Sequence, residues 1–456
     1  MNVHWMSILP LAAMFVVATI LPINMGVLAF AGAFLVGTLV AGMNAKAIMA
    51  GFPADLFLTL TGITYLFAIA QNNGTIDWLV RLAVRAVRGR IAAIPWIMFF
   101  TAAVLTSVGA VSPAAVAIIA PIALGFAAKH GISPLMMGLM VIHGAQGGGF
   151  SPISIYGGIT NKIVAKAGLP LSEMTTMLAS FGVNFAVALG LFFALGGAKL
   201  MRRTTAAPDS EIPPVTVVAR PQGGAQVFGG AEAESLAEGR RVAKSRSSML
   251  GQVNTQSFAV NGAHQVITAL ALLLLAVLTL VYKLDIGFVS ITIGLALSLM
   301  QPRLQKSALG QVSWPEIMLI VGVSTYVGVM EKMGTIAYVG NSVADLTSPV
   351  MAALLLCFVG AVISAFASST AVLGSLIPLG VPFLQGDNSG MAIGFIAAMA
   401  VSSTIVDVSP FSTNGALVLA NSTGVDRDRF FRTLLLYGAA VTVVAPIVVW
   451  LLFVVL

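Results

Sequence analysis

Charge is what this sequence has least of. Only 9% of its 456 residues are Asp, Glu, Lys or Arg, while 58% are hydrophobic; soluble domains carry about 25% charged residues. The deficit excludes a soluble globular domain and implies an integral membrane protein. There is a single cysteine, Cys357, in an apolar run, which excludes an intramolecular disulfide and fits a buried, inert thiol. The alternating pattern of a membrane barrel is missing, and every stretch long enough to cross a bilayer is helical in character. No zinc-ligand spacing, phosphate-binding loop or Ser-His-Asp order occurs, so no enzyme class is indicated. No Lys or Arg precedes the first apolar stretch, so residues 5–22 read as a retained helix rather than a cleaved signal. The net charge of +7 marks a membrane face and not a nucleic-acid partner.

What is present is a repeat. Residues 108–121 are echoed by 365–378, and Phe150-Ser151-Pro152-Ile153-Ser154 returns as Val408-Ser409-Pro410-Phe411-Ser412. Gly74-Thr75-Ile76 returns as Gly334-Thr335-Ile336, and Thr64-Tyr65 as Thr325-Tyr326. All offsets fall between 257 and 261 residues, so the copy is colinear. A duplicated apolar chain whose copies share polar breaks is the signature of a secondary transporter.

Apolar stretches of spanning length run over roughly 5–22, 24–42, 54–72, 134–166, 172–199, 263–282, 284–300, 315–331, 389–421 and 427–456; 134–166 and 389–421 are interrupted. Two more, 91–129 and 348–385, are broken by small polar residues at Thr106 to Pro113 and Ser364 to Thr370. These read as re-entrant hairpins, because lipid tolerates unwound backbone only where protein or water covers it. The expected fold is all-α and polytopic. Two repeats, 1–199 and 261–456, each supply five crossings and one hairpin, joined by a polar, flexible linker at 200–260. Five is odd, so the second repeat is expected to be inverted. Of the 23 Lys and Arg residues, 18 fall on the face reached after the first crossing and 5 on the other. That face is therefore read as cytoplasmic, with the linker on it and both termini outside. Residues 74–90 set Arg81, Arg85 and Arg88 against Leu79, Leu82, Val84 and Val87, as in an amphipathic helix lying in the interface.

The chemistry concentrates at the breaks. The hairpin tips are 107–113 and 364–370; the interrupted helices carry Gln146-Gly-Gly-Gly-Phe-Ser-Pro152 and Asp407-Val-Ser-Pro-Phe-Ser-Thr-Asn414. Three glycines followed by Ser-Pro are expected to end a helix. A half-helix that starts after a break turns its N–H groups toward an anion, and one that ends there offers carbonyls to a cation. Close helix packing accounts for scattered Gly and Ser, but less well for four breaks recurring in register. Two ionisable residues lie inside apolar stretches. Asp407, whose repeat-mate is Gly149, would repel an anion but suits Na⁺ or a proton. His143 is either protonatable near the substrate or a satisfied core histidine. No lysine or arginine stands at the breaks to hold an anion, so dipoles and bound cations must supply the positive field.

The run Ser364-Ala-Phe-Ala-Ser-Ser-Thr-Ala, with Leu376-Ile-Pro378, resembles the Ser-Asn-Thr hairpin of the divalent-anion:sodium symporters in the ion transporter superfamily. Ser151-Pro152 and Ser409-Pro410 resemble that group's Thr-Pro breaks. Overall the chain is most similar to the bacterial malonate/dicarboxylate carrier (MatC) family. The resemblance covers both repeats but not the linker. It implies an elevator transporter, usually homodimeric, with a scaffold and a moving domain. By the same resemblance Ser369 falls on the substrate- and sodium-contacting Asn and Thr370 on its Thr. Ser112 takes the Asn place in the first hairpin, where Pro113 replaces Thr. Ser107 and Ser364 match sodium-coordinating hydroxyls, Ser151 and Ser409 the substrate-contacting threonines, and Gly149 and Asp407 the cation-binding backbone. Both motif asparagines are missing here.

The expected function is Na⁺-coupled symport of a small dicarboxylate, malonate or a similar C3 or C4 dianion, into a bacterial cell across the inner membrane, with two or more Na⁺ ions and no organic cofactor. Expected substrate ligands are Ser112, Gln146, Ser151, Ser369, Thr370, Ser409 and Ser412. Expected cation ligands are Ser107, Ser112, Gly149, Ser364, Ser368, Ser369 and Asp407. The expected partners are membrane lipid and a second copy of the chain. The rivals are an H⁺-coupled carrier relaying through Asp407 and His143, and a related oxyanion or cation exchanger, which would need acids at both breaks.

Overall fold

The computed structural model describes residues 3–21, 23–76, 78–79, 82, 90–202, 262–346, 348–366, 369–384, 390–422 and 426–456. Most of the 200–260 linker, Arg81, Arg85, Arg88 and Ser368 lie outside the described residues.

Helices account for the regular structure, and no strand occurs among the described residues. The first half contains α1 (Trp5–Ile20), α2 (Met25–Leu35, extended by a π turn to Val40), α3 (Ala54–Asn72), α4 (Ala93–Ser107), α5 (Ser112–His130), α6 (Pro134–Gly148), α7 (Ile155–Lys166) and α8 (Glu173–Ala194). The second contains α9 (Gly262–Leu280), α10 (Ile286–Met300), α11 (Pro302–Gln311), α12 (Trp314–Lys332), α13 (Thr335–Leu346), α14 (Pro349–Phe366), α15 (Ser369–Gly380), α16 (Ala392–Ile405), α17 (Thr413–Asn421) and α18 (Arg427–Trp450, extended by a π turn to Val455).

Local chemistry sets these bounds. Ser133 caps α6, accepting from the Met136 amide at 3.4 Å, with Pro134 fixing the first helical φ. Asp285 caps α10 by accepting from Gly287 and Phe288 at 2.9 and 3.1 Å. α5 ends on Gly131, which takes the left-handed conformation (φ 61°).

Five helices are individually long and apolar enough to cross a membrane: α3, α5, α8, α9 and α18 with its extension. Of these, α5 lies in a stretch expected as a re-entrant hairpin; among the other expected crossings α1, α2 and α10 come out shorter than read from sequence, while α12 is 19 residues long and reaches spanning character together with α11. The 16-residue α1, for example, spans about 24 Å at 1.5 Å per residue, below the ~30 Å of a hydrocarbon core. α11 was not anticipated, because its run is amphipathic rather than apolar; it meets α12 at a 49° bend. Large apolar side chains such as Leu39, Phe288, Leu299 and Leu436 project from the outer faces, as lipid contact requires. The chain is a multi-pass membrane protein.

Packing sorts the helices into two groups. In one, α2 packs on α12 and α10 on α3, with α1, α9 and α11 around them. In the other, α6 carries α4, α5 and α8, and α16 carries α14, α15 and α18. Contacts cross between halves inside this second group: α17 lies on α5, and α7 lies on α15. The groups meet where α12 touches α15 and α3 touches α7. At the latter seam Lys162 of α7 donates to Thr59 Oγ1 (2.7 Å) and the Asp55 carbonyl (3.1 Å), and pairs with the Asp55 and Asp285 carboxylates at 3.7 and 3.5 Å.

Candidate binding site at the helix breaks

Each of the four sequence-predicted breaks separates two helices. Between α4 and α5 only residues 108–111 leave the helix; Ser112 and Pro113 already form the first turn of α5. Gly109 adopts φ 112°, and a Cβ there would strike Ile63 of α3, so a larger residue cannot make this tip. α6 keeps Gly147 and Gly148 helical and ends with Gly149 as its cap, later than the triple glycine suggests. In the second half α15 begins at Ser369, and α16 and α17 are separated by 406–412.

The two broken helices are wired alike. Ser151 Oγ accepts from the Ile153 amide (3.4 Å), and Ser409 Oγ from the Phe411 amide (3.2 Å). Ser154 donates to the Ser151 carbonyl at 2.6 Å, and Ser412 to the Ser409 carbonyl at 2.7 Å; Ser154 also donates to the Gly149 carbonyl. Gly157 and Gly415 then lie so close to the Ser151 and Ser409 carbonyls that neither position leaves room for a Cβ.

Across the halves, Asn414 in the first turn of α17 donates from Nδ2 to Ser112 Oγ at the start of α5 (2.8 Å) and to Asp407 Oδ2 (2.9 Å). Its backbone amide donates to Asp407 Oδ1 at 3.2 Å. Ser412 and the Thr413 amide also face that carboxylate. Tyr156, in the first turn of α7, brings its hydroxyl beside Ser112 and Ser369. Four helix N-termini, those of α5, α7, α15 and α17, therefore meet around Ser112 and turn the positive ends of their dipoles toward it, with the first amides of α17 already taken by Asp407.

The helices that end here contribute carbonyls and hydroxyls. Ser107 Oγ donates to the Ala103 and Gly148 carbonyls at 2.7 and 3.3 Å, and Ser364 shares a 2.8 Å hydrogen bond with Ser369. Thr370, Ser151, Ser409 and Ser412 are buried at the same breaks. Gln146 is buried with both side-chain amide atoms unpartnered, as are Asn414 Oδ1 and Thr160 Oγ1. A buried polar atom without a partner costs about 1–3 kcal/mol. Their clustering near the breaks fits a region built for a polar guest, and its mix of hydroxyls, carbonyls and one carboxylate fits a hard cation. No lysine or arginine is buried among the described residues.

His143 is placed elsewhere. Asn184 of α8 commits its Nδ2 to the Ser180 carbonyl (2.9 Å), so its Oδ1 accepts from His143 Nδ1 (2.8 Å). His143 Nε2 then accepts from the Tyr437 hydroxyl of α18 at 2.6 Å. The ring is a strut joining α6, α8 and α18, and no hydrogen bond among the described residues links it to Asp407. Sequence reading missed Tyr156 and gave Asn414 no role, although the two are repeat-mates at the 258-residue offset that relates Ser151 to Ser409.

The chain matches the family model for the N-terminus of the dicarboxylate carrier protein MatC over residues 1–149, and the citrate transporter model over residues 276–456. The two models match separate stretches of the chain, and both are of transporters of small carboxylates. The chain is a secondary carrier and not an enzyme. Among solved structures the carrier is similar to the YdaH transporter of Alcanivorax borkumensis, at 13% identity and a TM-score of 0.55 over 89% of this chain and 86% of that one. It is also similar to MtrF of Neisseria gonorrhoeae, described with a class of antimetabolite efflux pumps, at 12% identity and a TM-score of 0.53 over 92% and 85%. At such identities the likeness is one of fold. No curated protein matches the carrier significantly.

Proposed function

We propose that the carrier couples Na⁺ to the inward movement of a small dicarboxylate, malonate or a similar short dianion. The observation that carries this reading is the convergence of four helix N-termini on Ser112, with no lysine or arginine buried among the described residues. Such a site attracts carboxylates through dipoles and hydroxyls, yet does not balance two negative charges alone. Cations held by Asp407 on one side, and by Ser107, the Gly148 and Gly149 carbonyls and the Ser364–Ser369 pair on the others, would complete the charge. Ser112, Ser151, Ser369, Thr370, Ser409 and Gln146 would then hold the dianion.

A neutralised site crosses a membrane more cheaply than a charged one, since charge in hydrocarbon costs several kcal/mol. The matched wiring of the two breaks and the exchange-symmetric helix contacts support an inverted repeat. The sorting of the helices into two packing groups supports an elevator-like movement of the α4–α8 and α14–α18 group past the other, in a homodimer of the bacterial inner membrane with both termini periplasmic.

The test is a melting-temperature panel of C3 to C5 dicarboxylates and citrate in sodium against choline buffers at one pH. A ligand that binds the folded state raises apparent stability. Malonate is expected to stabilise the carrier in sodium only. Equal stabilisation in choline removes Na⁺ coupling, and a response to pH in its place selects the proton-coupled alternative.

A further inference from the structure

The inference below rests on the cation-coupled site proposed above and adds a ligand to it. Asn414 is fully buried. Its two side-chain N–H donors are both committed, one to Asp407 Oδ2 at 2.9 Å and one to Ser112 Oγ at 2.8 Å. The nitrogen end of the amide faces both of these acceptors, which turns the oxygen end away from them. That oxygen is buried and makes no hydrogen bond. Carrying lone pairs alone, it can be satisfied by a cation or a donor hydrogen, and not by a carboxylate of the substrate.

The surrounding chemistry favours the cation. The groups packed around this amide are the Asp407 carboxylate and the Ser112 hydroxyl at its nitrogen end, with Ser412 facing the same carboxylate, hard oxygens with one carboxylate among them. A single carboxylate balances a monovalent ion, whereas divalent calcium usually takes several carboxylates and carbonyls. We propose that the side-chain carbonyl of Asn414 is a direct ligand of the coupling cation, and that its amide nitrogen ties that cation to Ser112 of the opposite half. A cation drawing on the carbonyl polarises the amide and strengthens its donation to Ser112. Ion binding in the second half thereby orders a substrate-binding hydroxyl in the first.

Sodium is titrated against the melting temperature of the purified full chain, with choline holding ionic strength and no organic anion present. Wild type is expected to be stabilised by Na⁺. Asn414→Leu is expected to raise the half-stabilising Na⁺ concentration at least tenfold, and an unchanged Na⁺ response in that variant overturns the proposal. Asn414→Asp keeps an oxygen in place and adds charge, so it is expected to lower that concentration at least threefold. Should Asn414→Leu fail to fold, this second variant decides: a half-stabilising concentration at or above that of wild type overturns the proposal. Wild type indifferent to Na⁺ is a different failure. It removes the sodium-coupled reading itself, and this ligand with it.

Discussion

The first broken helix caps on Gly149 and follows with Tyr156; the second has Asp407 and Asn414 at the same two places. Around these positions two hydroxyl-to-backbone bonds of Ser151 and Ser154 recur at Ser409 and Ser412, while Ser154 alone also bonds the Gly149 carbonyl and the Gly157 amide. A common frame thus holds two different pairs of side chains. One pair is neutral and sends a phenol toward both hairpin serines. The other is anionic and tied to a single hairpin. Duplication built the frame, and divergence at two positions gave each copy its own ligand chemistry. In the site proposed above, the second copy adds a carboxylate for a cation and the first adds a phenol for a substrate oxygen.

Substitutions can break this division of labour. Asp407→Asn should have the largest effect: charged partners contribute about 1.5–3 kcal/mol, so the half-saturating Na⁺ concentration is expected to rise ~10- to 100-fold in an uptake titration. Substrate affinity at saturating Na⁺ should change far less, and unchanged Na⁺ activation would remove Asp407 from the mechanism. Tyr156→Phe should act in the opposite sense. Loss of one neutral hydrogen bond, about 0.5–1.5 kcal/mol, predicts ~2- to 10-fold weaker dicarboxylate binding by calorimetry, with the Na⁺ response intact. A shifted Na⁺ response in this variant would erase the distinction between the halves. His143→Leu should leave both responses alone and lower the melting temperature, because Asn184 and Tyr437 lose a buried partner worth about 1–3 kcal/mol. Loss of Na⁺ or pH dependence there would return His143 to the transport site.

The breaks were legible because proline and glycine chemistry is local. Ser-Pro and a glycine run end a helix wherever it goes, and the recurrence of the pattern located all four breaks to within a few residues. The ends of α5 and α6 were missed by a turn, since Ser112-Pro113 opens a helix as readily as it closes one and Gly147 and Gly148 stay helical against close neighbours. α11 escaped a search for apolar runs because Arg303 and Lys306 interrupt it. The roles of Tyr156 and Asn414 arise where α7 crosses α15 and α17 crosses α5, contacts between residues hundreds of positions apart that no local pattern encodes. Superimposing the repeats at their 258-residue register would have singled out both.

Lys162 gives the seam between the helix groups a definite mechanical character. Its ammonium is shared by Asp55, Thr59 and Asp285, yet its side chain remains 21% exposed and the two acids 61% and 44%. Any slide of α7 along α3 beyond the reach of one lysine must part it from all three at once. Because water stands ready to receive each charge, parting is inexpensive and grows easier as ionic strength rises; a fully buried pair would resist far more strongly. In the movement proposed above, the lysine would act as a detent, firm enough to register one arrangement of the groups and weak enough to let it go.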